Sequence, residues 1–138
     1  MWPGSPGKNI YWIFRKYFRP MSDVASMKSP EIEKQLLAML GEPQTPERGG
    51  FVMSDGSLME LENLSGQPND GATLNPTVEQ LERLPDARAT WHTHPGATAN
   101  LSVGDFETFI GWPGMLHAIV GTDGVRWYGV KNGAVVNA

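Results

Sequence analysis

The chain has 138 residues, about one domain's worth, and its 40% hydrophobic and 19% charged residues suit one buried core rather than a disordered chain. The absence of cysteine excludes disulfides, thiolate nucleophiles and cysteine-rich zinc ribbons, so any metal must sit on His, Asp, Glu or water. The net charge of −4 is uneven: residues 1–20 hold Lys8, Arg15, Lys16 and Arg19 and no acid, and the acidic remainder does not favour nucleic acid as a partner.

In chain order, Trp2–Gly7 is rich in turn residues, and Ile10, Ile13, Phe14, Tyr17 and Phe18 then recur at the spacing of one helix face, with basic residues around them. This helix is either a membrane-surface or partner-docking element or, the reading favoured here, one packed on the domain. Met21 is an alternative start, so residues 1–28 read as a basic, aromatic extension and 29–138 as the domain. No apolar run nears the ~20 residues of a membrane helix, and Ile10–Phe14 is too short for a secretory leader. A soluble, cytoplasmic protein is the expectation.

Ser29-Pro30-Glu31 is a helix start, with Ser as N-cap and an acid near the positive end of the dipole. Ile32, Leu36, Leu37 and Leu40 make its apolar stripe, and Gly41 its stop. Phe51–Met53 and Leu58–Leu61 flank Asp55-Gly56 and predict a hairpin; Asn69–Gly71 reads as loop. A second helix is predicted from Asn75-Pro76 to Leu84, a strand over Ala89–His94 and a third helix from Ser102 to about Ile110. Strands follow at Met115–Val120, Val125–Val130 and Ala134–Val136, with Asp123-Gly124 and Asn132-Gly133 read as turn chemistry only. His117 reads as a structural strand histidine, and Trp112 and Trp127 as packing. The mixed order predicts α+β or three-layer α/β, a mixed sheet flanked by helices.

One stretch carries chemistry: His92-Thr93-His94-Pro95, then Ser102 and Asp105. Histidines at i and i+2 of a strand point to one face, so their imidazoles can converge on one ion. Pro95 ends the strand, and the next helix presents Ser102 and Asp105 in its first turn. Asp105 can complete a His-His-Asp set with one open position, the pattern of catalytic rather than structural zinc. Ser102 and Asp105 also form a capping box, which needs no metal, though the two roles are compatible.

This constellation resembles the signature of the JAMM (also MPN+ or JAB) metalloprotease family: an upstream Glu, then H-[ST]-H-P, then S-x-x-D with seven residues between the second His and the Ser. His92, Thr93, His94, Pro95, Ser102 and Asp105 match without a gap, and Pro46–Val52 resembles the segment that sets a Glu before the first core strand in bacterial and phage-type members. The resemblance covers residues ~29–138 and implies a minimal JAB/MPN-like, cytidine-deaminase-like fold. It further implies that His92, His94 and Asp105 bind Zn2+ with a water in the fourth position, whose pKa the metal lowers to about 7. Glu47 would act as general base and Ser102 as oxyanion donor, giving a metallopeptidase or isopeptidase. Glu47 is favoured over Glu42, which lies farther from the strand, and over Glu60 and Glu62, which read as a solvated hairpin face. The implied substrate is a peptide or protein, ubiquitin-like or tail-associated, with a phage or virion association among the settings. A non-catalytic binding or assembly module on the same fold is the alternative, and hydrolysis of a small-molecule amide a third.

Overall fold

The computed structural model of the chain describes residues 27–65 and 72–138. The aromatic segment near the start and the Asn69–Gly71 loop lie outside these residues.

Helix α1 (Pro30–Ala38) starts as the sequence dictates: the Ser29 hydroxyl accepts the Ile32 N–H at 3.2 Å, and Pro30 opens the first turn. Ile32 and Leu36 are buried, but Leu37 is 47% exposed and leaves the stripe. The helix ends at Ala38, before Gly41, because the Met39 and Leu40 N–H groups fold back onto the Leu36 and Leu37 carbonyls at 3.0 and 3.2 Å. Gly41 serves a close approach instead, since a Cβ there would stand 2.5 Å from Thr45 Oγ1.

Strands β1 (Gly49–Met53) and β2 (Leu58–Asn63) form the expected hairpin, with Gly56 in its turn at φ 86°. The second helix starts later than predicted. Asn75 belongs to a short strand β3 (Leu74–Asn75) paired with β2, and Thr77 caps α2 (Val78–Arg83) in a reciprocal box with Gln80. A 3₁₀ turn (Leu84–Asp86) leads into β4 (Ala87–Thr93). Then come α3 (Val103–Ile110), β5 (Leu116–Gly121), β6 (Gly124–Lys131) and β7 (Ala134–Asn137).

Among the described residues the fold is α+β, with one seven-stranded mixed sheet ordered β3-β2-β1-β4-β5-β6-β7. Only β4 and β5 pair in parallel, and a parallel pair needs a crossover, here the loop and α3 between them. Strand alternation divides the core. Val52, Ala89, Trp91, Ala118, Val120 and Trp127 pack with Ile32 and Leu36 of α1. Ile119 and Tyr128, on the other face, pack with Phe109 of α3. Trp112 and Trp127 are both buried, and the Trp127 indole N–H donates to Glu33 at 2.8 Å. No helix among the described residues is long and apolar enough to cross a membrane.

Candidate metal centre

The crossover fixes the site. β4 delivers His92 at its end and His94 just beyond, and the chain then turns into the first turn of α3. Carboxyl ends of parallel strands, where a crossover leaves a crevice, are where α/β sheets bind ligands. The imidazoles converge, with His92 Nε2 and His94 Nε2 3.2 Å apart. Asp105 meets both: Oδ1 lies 2.8 Å from His92 Nε2 and Oδ2 3.1 Å from His94 Nε2.

The capping box and this contact coexist in one carboxylate. The Ser102 Oγ accepts the Asp105 N–H, and Asp105 Oδ2 accepts the Ser102 N–H, both at 3.1 Å. Ser102 therefore caps through its oxygen lone pair, and its side chain is exposed beside the cluster. The cap locks Asp105 toward the histidines, and the positive end of α3 favours its charge.

Glu47 sits just before β1, half-buried, and one of its carboxylate oxygens lies with the two histidine nitrogens in a group whose atoms are all within 4.8 Å of one another. Its backbone is tied at several points. The Asn63 side-chain amide donates to the Glu47 carbonyl at 2.7 Å. The next residue, Arg48, exchanges two bonds with Thr93 and grips Glu60 through two contacts of 2.7 Å. Glu60 and Glu62 are exposed on the hairpin face, as expected, and Glu60 pairs there with Arg48.

Electrostatics follow from burial and mutual contact. Burial raises the Glu47 carboxyl above its ordinary value, and the two imidazoles pull back only part of that shift. Burial also opposes charge on Asp105, yet its bonds to His92 and His94 outweigh it and hold the carboxyl well below the usual range. Burial works against an imidazolium at His94, but the Asp105 contact and the Thr98 carbonyl raise it overall.

The donor set fits a cation. A tetrahedral zinc with Zn–N near 2.0–2.1 Å puts two ligand nitrogens about 3.3–3.4 Å apart, close to the 3.2 Å between these imidazoles. His94 Nδ1 stands 2.9 Å from the Thr98 carbonyl, so Nδ1 carries the proton and Nε2 faces the cluster. Gly49 lies opposite His92 in the β1–β4 ladder, and a Cβ there would come within 3.2 Å of His92 Cβ. Glu47, His92 and His94 could together hold a metal ion, with Asp105 in direct contact with both imidazoles.

His117 takes no part in the cluster. It is buried at 1% exposure, its Nδ1 2.6 Å from Thr90 Oγ1 and its Nε2 3.1 Å from the Trp112 carbonyl, with Phe109 stacked on it at 4.1 Å. Burial pushes its imidazole down to about 3, so it is neutral near pH 7.

Asp123 is the residue misjudged from sequence. Its Oδ1 accepts the Ala99 N–H at 2.8 Å, reaching into the loop between His94 and α3, and its Oδ2 takes Arg126 at 3.0 Å. It therefore does more than shape a turn. Asp-Gly between two strands signals a hairpin, and nothing local reveals a partner across the sheet.

No family model matches the chain, and no curated protein matches it. Among solved structures, the solution structure of protein DSY2949 from Desulfitobacterium hafniense is similar, with a TM-score of 0.60 at 19% identity over 80% of this chain and 87% of that one. At that identity the likeness is one of fold.

Proposed function

We propose that this chain is a zinc-dependent metallopeptidase of the JAMM type, hydrolysing a peptide or isopeptide bond, on a JAB/MPN-like fold. The observation that carries the reading is the meeting of His92, His94, Asp105 and Glu47 at one end of β4. His92, His94 and Asp105 would hold the ion. Zinc bound there supplies Lewis-acid polarisation of the scissile carbonyl and acidification of a water.

The remaining steps belong to side chains. Glu47 takes the proton of the attacking water as its oxygen adds to the carbonyl carbon, and passes it to the amine as the C–N bond breaks, leaving a carboxylate and an amine. Ser102 Oγ, whose cap bond uses a lone pair and not its proton, can donate to the developing oxyanion. No covalent intermediate is required, in keeping with a chain that has no cysteine.

The test is hydrolysis by the zinc-loaded chain of a panel of extended peptides and ubiquitin-like isopeptide conjugates, with Glu47→Gln alongside. The variant should keep its zinc and lose turnover by about 10²–10⁴-fold. Full activity in the variant would move the base to another acid. A stable protein that takes up no metal would favour the non-catalytic assembly module.

A further inference from the structure

The loop from His94 to Ala99 is held from the far side by the end of the β5–β6 hairpin. The His94 N–H donates to the Val120 carbonyl and the Thr122 N–H to the Ala97 carbonyl, each at 2.8 Å. Ala99 is clamped through both backbone groups: its N–H donates to Asp123 Oδ1, and its carbonyl accepts the Tyr128 hydroxyl, each at 2.8 Å. Ala99 itself is fully buried. Between these bonds the loop lies directly on Gly121, where a Cβ would fall 2.2 Å from Ala99 N and 2.4 Å from the Thr98 carbonyl carbon. Only a glycine lets the two backbones meet.

The neighbour of that clamp is Thr98, whose carbonyl oxygen stands 2.9 Å from His94 Nδ1. Thr98 itself is exposed, between Ala97 and Ala99, whose backbones are bonded to Thr122 and Asp123. The direction of its carbonyl is therefore set by Ala97 and Ala99 on either side. That carbonyl in turn decides which His94 nitrogen carries the proton and which way the ring faces.

We infer that Asp123, with Gly121 and Tyr128, is a positioning residue for His94: it fixes Ala99, hence the Thr98 carbonyl, hence the Nε2 lone pair aimed at the metal centre. Asp123 and Tyr128 bond to Ala99, and Gly121 packs against it, rather than donating to or accepting from the imidazoles. The chain of contacts runs from carboxylate to amide, along one peptide, and from carbonyl to imidazole. The inference rests on His94 as a metal ligand, and not on which bond the protein cleaves.

Two measurements on the full chain test it. The first uses metal-free protein and follows the exchange of the His94 Nδ1–H with solvent by proton NMR. The second is the zinc dissociation constant by chelator competition. Asp123→Ala should lose protection of the Nδ1–H and weaken zinc binding by about 10–100-fold, the usual cost of removing support behind a ligand. Asp123→Asn keeps an oxygen for the Ala99 N–H and should restore both. Tyr128→Phe keeps the ring, removes the second clamp and should shift both readings in the direction of Asp123→Ala. It decides the matter if Asp123→Ala does not fold.

Wild-type protection and affinity in Asp123→Ala or Tyr128→Phe would overturn the inference, as would equal losses in Asp123→Ala and Asp123→Asn. If the wild type binds no zinc, the metal-centre reading fails by itself, and the exchange measurement still reports on the clamp.

Discussion

Thr93 holds Arg48 from both sides: its N–H donates to the Arg48 carbonyl at 2.8 Å, and its hydroxyl oxygen accepts the Arg48 N–H at 2.9 Å. Thr93 stands between the two histidines, and Arg48 follows Glu47. One residue thus ties the segment bearing the proposed base to the strand end that presents the two histidines. Its burial is complete, so the hydroxyl has no water to fall back on.

Thr93→Val keeps the shape and removes the acceptor, leaving the Arg48 N–H without its partner. The expected loss is about 1–3 kcal/mol in urea unfolding. Turnover should fall more than zinc affinity, because Glu47 shifts while β4 still presents His92 and, just beyond its end, His94. Thr93→Ser retains the oxygen and should recover most of both.

Asp105→Asn separates the cap from the charge. Asparagine can still accept the Ser102 N–H, so α3 should form as before, with near-native circular dichroism. It brings no anion to the two imidazoles, and zinc affinity by calorimetry should fall at least about 10-fold. In the wild type, zinc at 100 times its dissociation constant should add about 2.7 kcal/mol to unfolding stability by mass action. A chelator should remove that gain, and His92→Ala should not show it.

Much of this site is legible in the chain because its spacing is local. His92 and His94 share a face through the period of a strand, and Ser102 and Asp105 share a helix turn. The hairpin announces itself through Asp55-Gly56, and α1 through Ser29-Pro30. The illegible parts are long-range. Asn75 joins a strand only because β2 lies beside it. The end of α1 depends on how Met39 and Leu40 fold back, and a glycine two residues on misdirects the reading. Asp123 reaches Ala99 across 24 positions once β4, β5 and β6 are in register, so no local pattern carries that bond.

His117 gives stability a defined pH dependence. In the unfolded chain its imidazole takes a proton near the ordinary value of 6.5, whereas in the fold burial first, and the charge of His92 with it, hold it down to about 3. Between those values the unfolded state binds the extra proton, so stability falls as pH drops below 6.5 toward 3. The slope from this one group is about 1.4 kcal/mol per pH unit. His117→Gln cannot titrate and should show a flatter decline over pH 6 to 4 in urea unfolding, though it is less stable at pH 7 through lost packing on Phe109. Parallel curves for the two proteins would rule out the assignment.

Gly49 and Gly50 are adjacent and do different work, which two alanine variants should separate. At Gly50 a Cβ would stand 1.8 Å from the Met59 carbonyl oxygen and 2.8 Å from its carbon, so β1 and β2 would have to part. Backbone cannot rotate away as a side chain can, and Gly50→Ala should cost at least about 1–3 kcal/mol. At Gly49 the nearest atoms are the Trp91 carbonyl oxygen at 2.8 Å, Leu74 Cδ1 at 2.9 Å and His92 Cβ at 3.2 Å. Leu74 can yield but the Trp91 carbonyl cannot, so Gly49→Ala also costs stability, less than Gly50→Ala because an approach of 2.8 Å asks a smaller backbone shift than one of 1.8 Å. The added methyl still presses on the strand at His92 and displaces its ring from His94 and Asp105. Gly49→Ala should therefore lose less unfolding stability than Gly50→Ala and show the larger drop in zinc affinity relative to its loss of stability.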